Sequence, residues 1–408
     1  MLFMPERHSA LDAAPWDEAV ARTAIQAIVD DASERFDPRT LWPPHPGDAD
    51  EGHADRPLTP FVPLYLGAAG VVWAIEHLRE QGAASVSFDA AAAVDGLLER
   101  CHADTAPDAL ERPSYFLGDA GILLTQWKLK REPALADALY DTVEANLRNP
   151  AREALWGSPG TLVAALHMLE ATGESRWRDV FRRGITILWD EMEPMQHSSG
   201  GAPVWLWTQD LYGRRVRYLG AGHGFAGNVF PVLRGARWLE PAVVRGFEER
   251  AFETLSFTAE RRDGQVNWQP NFDRAATGLP PKPLVQDCHG APGIVCRLAT
   301  TTHAPLRELL VEGGELIWSA GPLAKPPGLC HGTDGNGYAF LKLHAMTGES
   351  RWLERARAFA MHALRQSENE QARLGRRRYS LWTGDLGLAV YLWSCINADP
   401  ALPTLDRF

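Results

Sequence analysis

An all-α fold, an α/α toroid (barrel) of seven inner and seven outer helices with long loops over one end, is predicted by three features of the sequence. Gly-x-x-Gly recurs seven times, at Gly67–Gly70, Gly118–Gly121, Gly157–Gly160, Gly224–Gly227, Gly290–Gly293, Gly332–Gly335 and Gly384–Gly387. Most copies open an apolar run, such as Val71–Val72–Trp73–Ala74–Ile75 or Leu388–Ala389–Val390–Tyr391–Leu392. Runs that are apolar nearly all round are expected of helices buried on both sides. The hexapeptide Thr172–Gly173–Glu174–Ser175–Arg176–Trp177 recurs as Thr347–Gly348–Glu349–Ser350–Arg351–Trp352, each copy starting 15 positions after the first glycine of its own motif. Pro133 and Pro305 stand in the same phase and Pro241 two positions later. Glycine ends a helix and proline starts one. The unit is therefore a glycine motif, a buried helix, a tight turn and a second helix. The second helices, such as Trp352–Leu353–Glu354–Arg355–Ala356, are more amphipathic and belong outside. Units of this kind bury, on closing or stacking, faces that no single unit buries alone.

Taken in order, residues 1–60 form an opening segment. Val20, Ala24, Ile25, Ile28, Val29 and Ala32 recur at helical spacing and predict one amphipathic helix over Pro15–Phe36. Asp37–Pro60, rich in Pro, Asp and Gly, reads as a surface excursion. Both are expected to pack on a single toroid domain of residues 61–408. Two intervals between glycine motifs are long: Gly160 to Gly224, holding Ser198–Trp207, and Gly227 to Gly290, holding Leu279–Pro283. They read as long loops with short strands that lead into the motifs carrying His223 and Cys288. Long loops at one end of a toroid commonly wall a site.

Composition narrows the function class. A net charge of −11 argues against a nucleic-acid binder, which usually presents a basic surface, and against attraction to anionic membranes. Fifteen tryptophans imply much buried aromatic surface or stacking walls in a cavity. Acidic residues come early, without an apolar stretch and cleavage site of the secretory kind, and no apolar run approaches the ~20 residues of a membrane span. The five cysteines are odd in number and widely spread, which favours a reducing cytoplasm and free or metal-bound thiols.

Two of those cysteines open matching triplets, Cys288–His289–Gly290 and Cys330–His331–Gly332, at the entry to successive inner helices. Thiolate and imidazole together are a zinc donor set. Two sites are compatible with the sequence: a closed Cys2His2 site using His289, or an open Cys-Cys-His site with a free fourth position. The first would be structural, the second catalytic. His223 stands in a similar loop position before Gly224, and Glu153 four residues before Gly157; both are expected to face the same cavity. Cys101, Cys296 and Cys395 read as packing residues. None of the glycine motifs has the spacing of a Walker or Rossmann loop, so nucleotide binding is rejected as the main function.

The motifs Ala221–Gly222–His223–Gly224–Phe225–Ala226–Gly227, Cys288–His289–Gly290–Ala291–Pro292–Gly293 and Gly328–Leu329–Cys330–His331–Gly332 resemble the lanthionine synthetase C-like family. The resemblance covers essentially the whole chain after the opening segment. It implies a toroid with zinc in a central cavity, held here by Cys288, Cys330 and His331 with the fourth position open. It also implies thioether formation, the addition of a peptide cysteine or of glutathione to dehydroalanine or dehydrobutyrine. Cys-His-Gly-Ala-Pro-Gly and Glu153 look more like the eukaryotic-type, glutathione-adding relatives. The peptide cyclases usually carry tyrosine at the His289 position and an aspartate near the Glu153 position. By this resemblance His223 is the candidate general acid and His289 the second choice, while Glu153 orients His223 or takes the thiol proton. Lys325 and, by looser analogy, Arg377 within Arg376–Arg378 would contact the thiol substrate. The expected partners are a thiol substrate and a dehydroamino-acid peptide or protein, with a dehydratase as a further candidate, and neither nucleic acid nor membrane. Two other readings stand beside this one. One is a carbohydrate-active α/α-barrel enzyme of epimerase or glycosidase type, whose sugars a tryptophan wall would suit. The other is a non-catalytic scaffold that binds zinc or glutathione.

Overall fold

The computed structural model describes residues 1–408 except 13, 49–59, 196–202 and 275–279. Residues 49–59 of the expected surface excursion, loop residues 198–202 and Leu279 lie outside the described residues.

Helix α1 (Glu18–Glu34) starts at Asp17, whose carboxylate caps the Ala19 and Val20 amides, and buries Ala21, Ile25, Ile28, Val29 and Ala32 as one stripe. The first glycine motif opens α2 (Ala68–Glu80), buried on nearly every side. The helix pair that follows is short, α3 (Ala90–Ala93) and α4 (Leu97–Asp104), parted at Gly96 by a left-handed backbone (φ +69°). Next come α5 (Asp119–Lys130), α6 (Pro133–Asn146), α7 (Ser158–Thr172) and α8 (Ser175–Asp190). The first long interval then folds into two antiparallel hairpins, β1 (Glu193–Met195) with β2 (Val204–Leu206) and β3 (Gln209–Leu211) with β4 (Arg214–Val216). Helices α9 (Phe225–Arg234) and α10 (Pro241–Thr258) precede a third hairpin, β5 (Glu260–Arg262) with β6 (Gln265–Asn267). The chain ends in α11 (Ala291–Leu298), α12 (Ala304–Ala320), α13 (Thr333–Thr347), α14 (Ser350–Leu374) and α15 (Asp385–Asn397).

Among the described residues, α2, α5, α7, α9, α11, α13 and α15 each pack on the next, and α15 packs on α2, so seven inner helices close a ring. Outside it, α3 with α4, α6, α8, α10, α12 and α14 cover successive inner helices, and α1 covers α15. The expected α/α toroid is the observed fold. The shared hexapeptide is the turn from inner to outer helix: Gly173 and Gly348 end α7 and α13 with φ of +72° and +75°. No helix of the described residues is long and apolar enough to cross a membrane.

The second glycine of each motif has one physical reason. A Cβ on Gly293 would overlap the carbonyl oxygen of Asp287, and the same holds at the other six copies for the carbonyl six residues earlier. Each inner helix thus turns back tightly on its own entry loop, and the loops converge. The residue two before the first glycine then links repeat to repeat. Tyr65 N–H donates to the Phe116 carbonyl (2.9 Å), Trp382 to Tyr65 (3.2 Å), Cys330 to Trp382 (2.9 Å), Cys288 to Cys330 (3.1 Å) and Gly222 to Cys288 (3.3 Å). The seventh equivalent is Leu155. Its amide donates instead to the Glu153 carboxylate (2.8 Å), which interrupts this hub of main-chain hydrogen bonds.

Candidate metal centre

Cys288 and Cys330 hold the same hub position in neighbouring repeats, so the hydrogen bond between their main chains sets their thiols side by side. His331 follows Cys330. The donor atoms of Cys288, Cys330 and His331 all lie within 4.8 Å of one another. A tetrahedral zinc with bonds of ~2.0–2.3 Å needs its donors ~3.5–3.8 Å apart. Two sulfurs and an imidazole at this spacing fit such an ion by both chemistry and reach. Gln286 Nε2 donates to Cys288 Sγ (3.0 Å). The hydrogen bond from Cys330, then the nearby His289 and His331, push the Cys288 thiol well below its usual value despite burial. Cys330, donating to Cys288 and buried, is pushed up.

A cavity of about 400 Å³ opens onto this cluster, lined among others by Arg7, Tyr65, Tyr218, His223, Lys282 and Gln286. Among the described residues no Asp or Glu lines it, although the chain is strongly acidic. Beneath the hub lies a void of about 20 Å³, lined by Phe116, Trp382 and Leu405 and by Asp287 and Arg297.

Glu153 is fully buried. Its carboxylate accepts from the Leu155 amide (2.8 Å), the Trp156 amide (2.6 Å) and His223 Nδ1 (3.0 Å). The gap in the hub is thus filled by a carboxylate that grips an imidazole. Burial disfavours charge on His223, but the charge and hydrogen bond of Glu153 more than offset it and raise the pKa above its ordinary value. With Nδ1 committed to Glu153, Nε2 is the nitrogen left for exchange; it meets the Tyr212 hydroxyl at 3.3 Å. His289 does not join the donor cluster, which leaves the Cys2His2 alternative without its fourth ligand. It lines the cavity with its ring 5.4 Å from Tyr218 and 6.3 Å from His223, and its buried Nδ1 meets no hydrogen-bond partner among the described residues. Burial lowers its pKa.

The two residues expected to contact substrate separate. Lys325 is half-buried, and burial pushes its pKa down to about 8, against the pull of Cys288. It lines a neighbouring cleft with Ser9 and His362 rather than the cavity itself. Arg377 is buried and turned to Ser367 (3.0 Å) and Asp385 (3.8 Å), away from the cavity lining.

Several lining residues escaped the sequence reading. Tyr65 shares the register of Cys288 and Cys330, and that register was its available signal. Arg7 had none: it arrives because residues 7–9 lie along the loop 321–324, with Ser9 N–H on Pro322 (2.9 Å) and Ala324 N–H on Arg7 (2.9 Å).

Comparison with known proteins bears on the family and the fold. The family described as "Lanthionine synthetase C-like protein" matches residues 60–406. LanC-like protein GCL1 of Arabidopsis thaliana is 33% identical over 186 residues, 44% of this chain and 40% of that protein. Glutathione S-transferase LANCL1 of Danio rerio is 30% identical over 199 residues, 47% of this chain and 45% of that protein. The matched stretches thus span less than half the length of either relative. Among solved structures nisin cyclase shares the fold, with a TM-score of 0.60 over 95% of this chain and 96% of that one at 15% identity. The repeats, the hub and the matched span of 347 residues lead to one assignment: this chain belongs to the lanthionine synthetase C-like family.

Proposed function

We propose that this protein forms thioethers, adding a thiol to the β-carbon of a dehydroalanine or dehydrobutyrine residue, with zinc held by Cys288, Cys330 and His331. One observation carries the reading: a three-donor metal cluster opens into the same cavity as a carboxylate-held imidazole with a raised pKa. Zinc bound there would supply Lewis acidity that keeps an incoming thiol deprotonated at neutral pH.

The remaining chemistry falls to the chain. The sulfur lone pair forms the C–S bond to the β-carbon, and the π electrons move onto the acyl oxygen as an enolate. His223, protonated and fixed by Glu153, gives its Nε2 proton to the α-carbon, and solvent, which takes up the proton lost by the thiol, returns one to Nε2. Such general-acid help is typically worth ~10²–10⁴-fold. His289, its pKa lowered and its Nδ1 without a partner among the described residues, suits a neutral hydrogen-bonding role near the enolate. Arg7 and Lys282 in the lining, with Lys325 beside it, favour an anionic thiol such as glutathione. The name of the zebrafish relative supports the same choice.

The test is mass spectrometry of a dehydroalanine peptide incubated with glutathione and the zinc-loaded protein. One glutathione added per dehydroalanine is expected. Absence of adduct with glutathione and with cysteine peptides alike, at full zinc occupancy, returns the protein to a non-catalytic zinc scaffold.

A further inference from the structure

One ion pair in the hub has no part in the chemistry above. Asp287 immediately precedes the ligand Cys288, and Arg297 lies ten residues on, in α11. The guanidinium meets the carboxylate through two hydrogen bonds, 3.1 and 2.7 Å, with side chains only 5% and 3% exposed. Its carbon lies 5.9 Å from the rings of both Phe230, in α9, and Trp382, at the hub position before α15. With Cys288 and Cys330 the pair lines the void under the hub. Taking two charges out of water is costly, and apolar residues of similar volume are often as stabilising or more so. Stability alone therefore does not account for the pair.

Its position does. The Cys288 main chain is held at both polar groups, N–H on Cys330 and C=O from Gly222. The Asp287 carbonyl is pressed against Gly293. Beside the Gln286 amide, which donates to Sγ itself, the Asp287 side chain is a further lever on the turn that aims the sulfur, and Arg297 clamps it to α11.

We propose that the Asp287–Arg297 pair positions Cys288, presetting its sulfur toward Cys330 and His331 before the metal arrives. This rests on the zinc reading above. Partners one step behind a ligand typically cost 10–100-fold in metal affinity when removed.

The experiment uses the full chain. Zinc content of the wild type is measured first; a wild type that binds no zinc fails the functional reading itself, whatever the variants do. Given zinc in the wild type, the double variant Asp287→Asn/Arg297→Met removes both charges, so neither is left unpaired. Zinc release to a chromogenic chelator and the thiolate-to-cobalt absorption of the cobalt-substituted protein are then recorded. With helix content unchanged, release at least about tenfold faster and a shifted cobalt spectrum are expected. Wild-type release and spectrum in the folded double variant overturn the proposal. Should that variant fail to fold, Arg297→Lys keeps the cation but loses the fork of two hydrogen bonds. Faster release from it supports the proposal, and wild-type release overturns it.

Discussion

Replacing Glu153 with Gln tests the core of the proposed chemistry. At 3.0 Å the carboxylate attracts a charged His223 with about 5 kcal/mol at an effective dielectric of ~20. Burial of the imidazole opposes this, and the net result is a raised pKa. Glutamine removes the charge and leaves the burial, so His223 should fall below its ordinary ~6.5. At pH 7 a smaller fraction of the molecules would then carry the proton than in the wild type. Leu155 and Trp156 address different oxygens of the carboxylate, and in the same rotamer the amide presents an NH2 group to one of them. One buried N–H is left unmet, at a cost of about 1–3 kcal/mol. The linkage has a definite sign. Because the folded pKa of His223 lies above the unfolded one, the pair's stabilisation is complete below ~6.5 and is lost as pH rises through the raised value. The assays are histidine NMR titration, the addition rate against pH, and denaturant unfolding at pH 6 and pH 9. The variant should titrate lower and lose rate at pH 7, by at most the ~10²–10⁴-fold worth of a general acid, and its stability deficit should shrink at pH 9. An unshifted or higher His223 pKa, or a wild-type rate at pH 7, would refute the reasoning.

Cys330→Ala should abolish stoichiometric zinc while far-UV circular dichroism stays that of the wild type, because the hub hydrogen bonds at this position use the main chain; zinc retained in a Cys288/Cys330 double variant would contradict the ligand assignment. Arg7→Ala should raise KM for glutathione about tenfold or more, as expected for loss of a hydrogen bond to a charged group, with a smaller change in kcat. In the wild type, KM for glutathione should climb as pH passes about 8, where Lys325 loses its proton, and Lys325→Ala should remove that part of the rise. Gly293→Ala, which drives a Cβ into the Asp287 carbonyl, should lower unfolding stability by ~1–3 kcal/mol or more and weaken zinc binding with it.

The ring of helices was legible in the chain because each repeat must solve the same packing problem. An inner helix folded against its own entry loop has no room for a Cβ at one place, so glycine recurs there in register. The identical hexapeptides marked a turn that needs a left-handed backbone at Gly173 and Gly348. The Cys-His doublets stood out because thiols are few and their register matched. The hairpins of the long interval were expected only as loops with short strands, since three-residue strands give too little alternation to read.

Other features depended on contacts between residues far apart in sequence. The outer partner of α15 is α1, and an amphipathic stripe such as Ile25, Ile28 and Val29 does not say which helix it will meet. Arg377, inside a run of three arginines, was drawn inward by Ser367 and Asp385. Arg7 reached the cavity through main-chain pairing with residues 322 and 324, which carries no side-chain signature. Above all, the sequence by itself determined that seven repeats would bring two cysteines to a common register, with His331 one residue on. Only the tertiary structure decided that the hub of main-chain bonds breaks at Leu155, where the Glu153 carboxylate takes the amide and turns to hold His223. Register is local and is written in glycine spacing. The break is a competition between two acceptors for one N–H, settled only once the ring has closed.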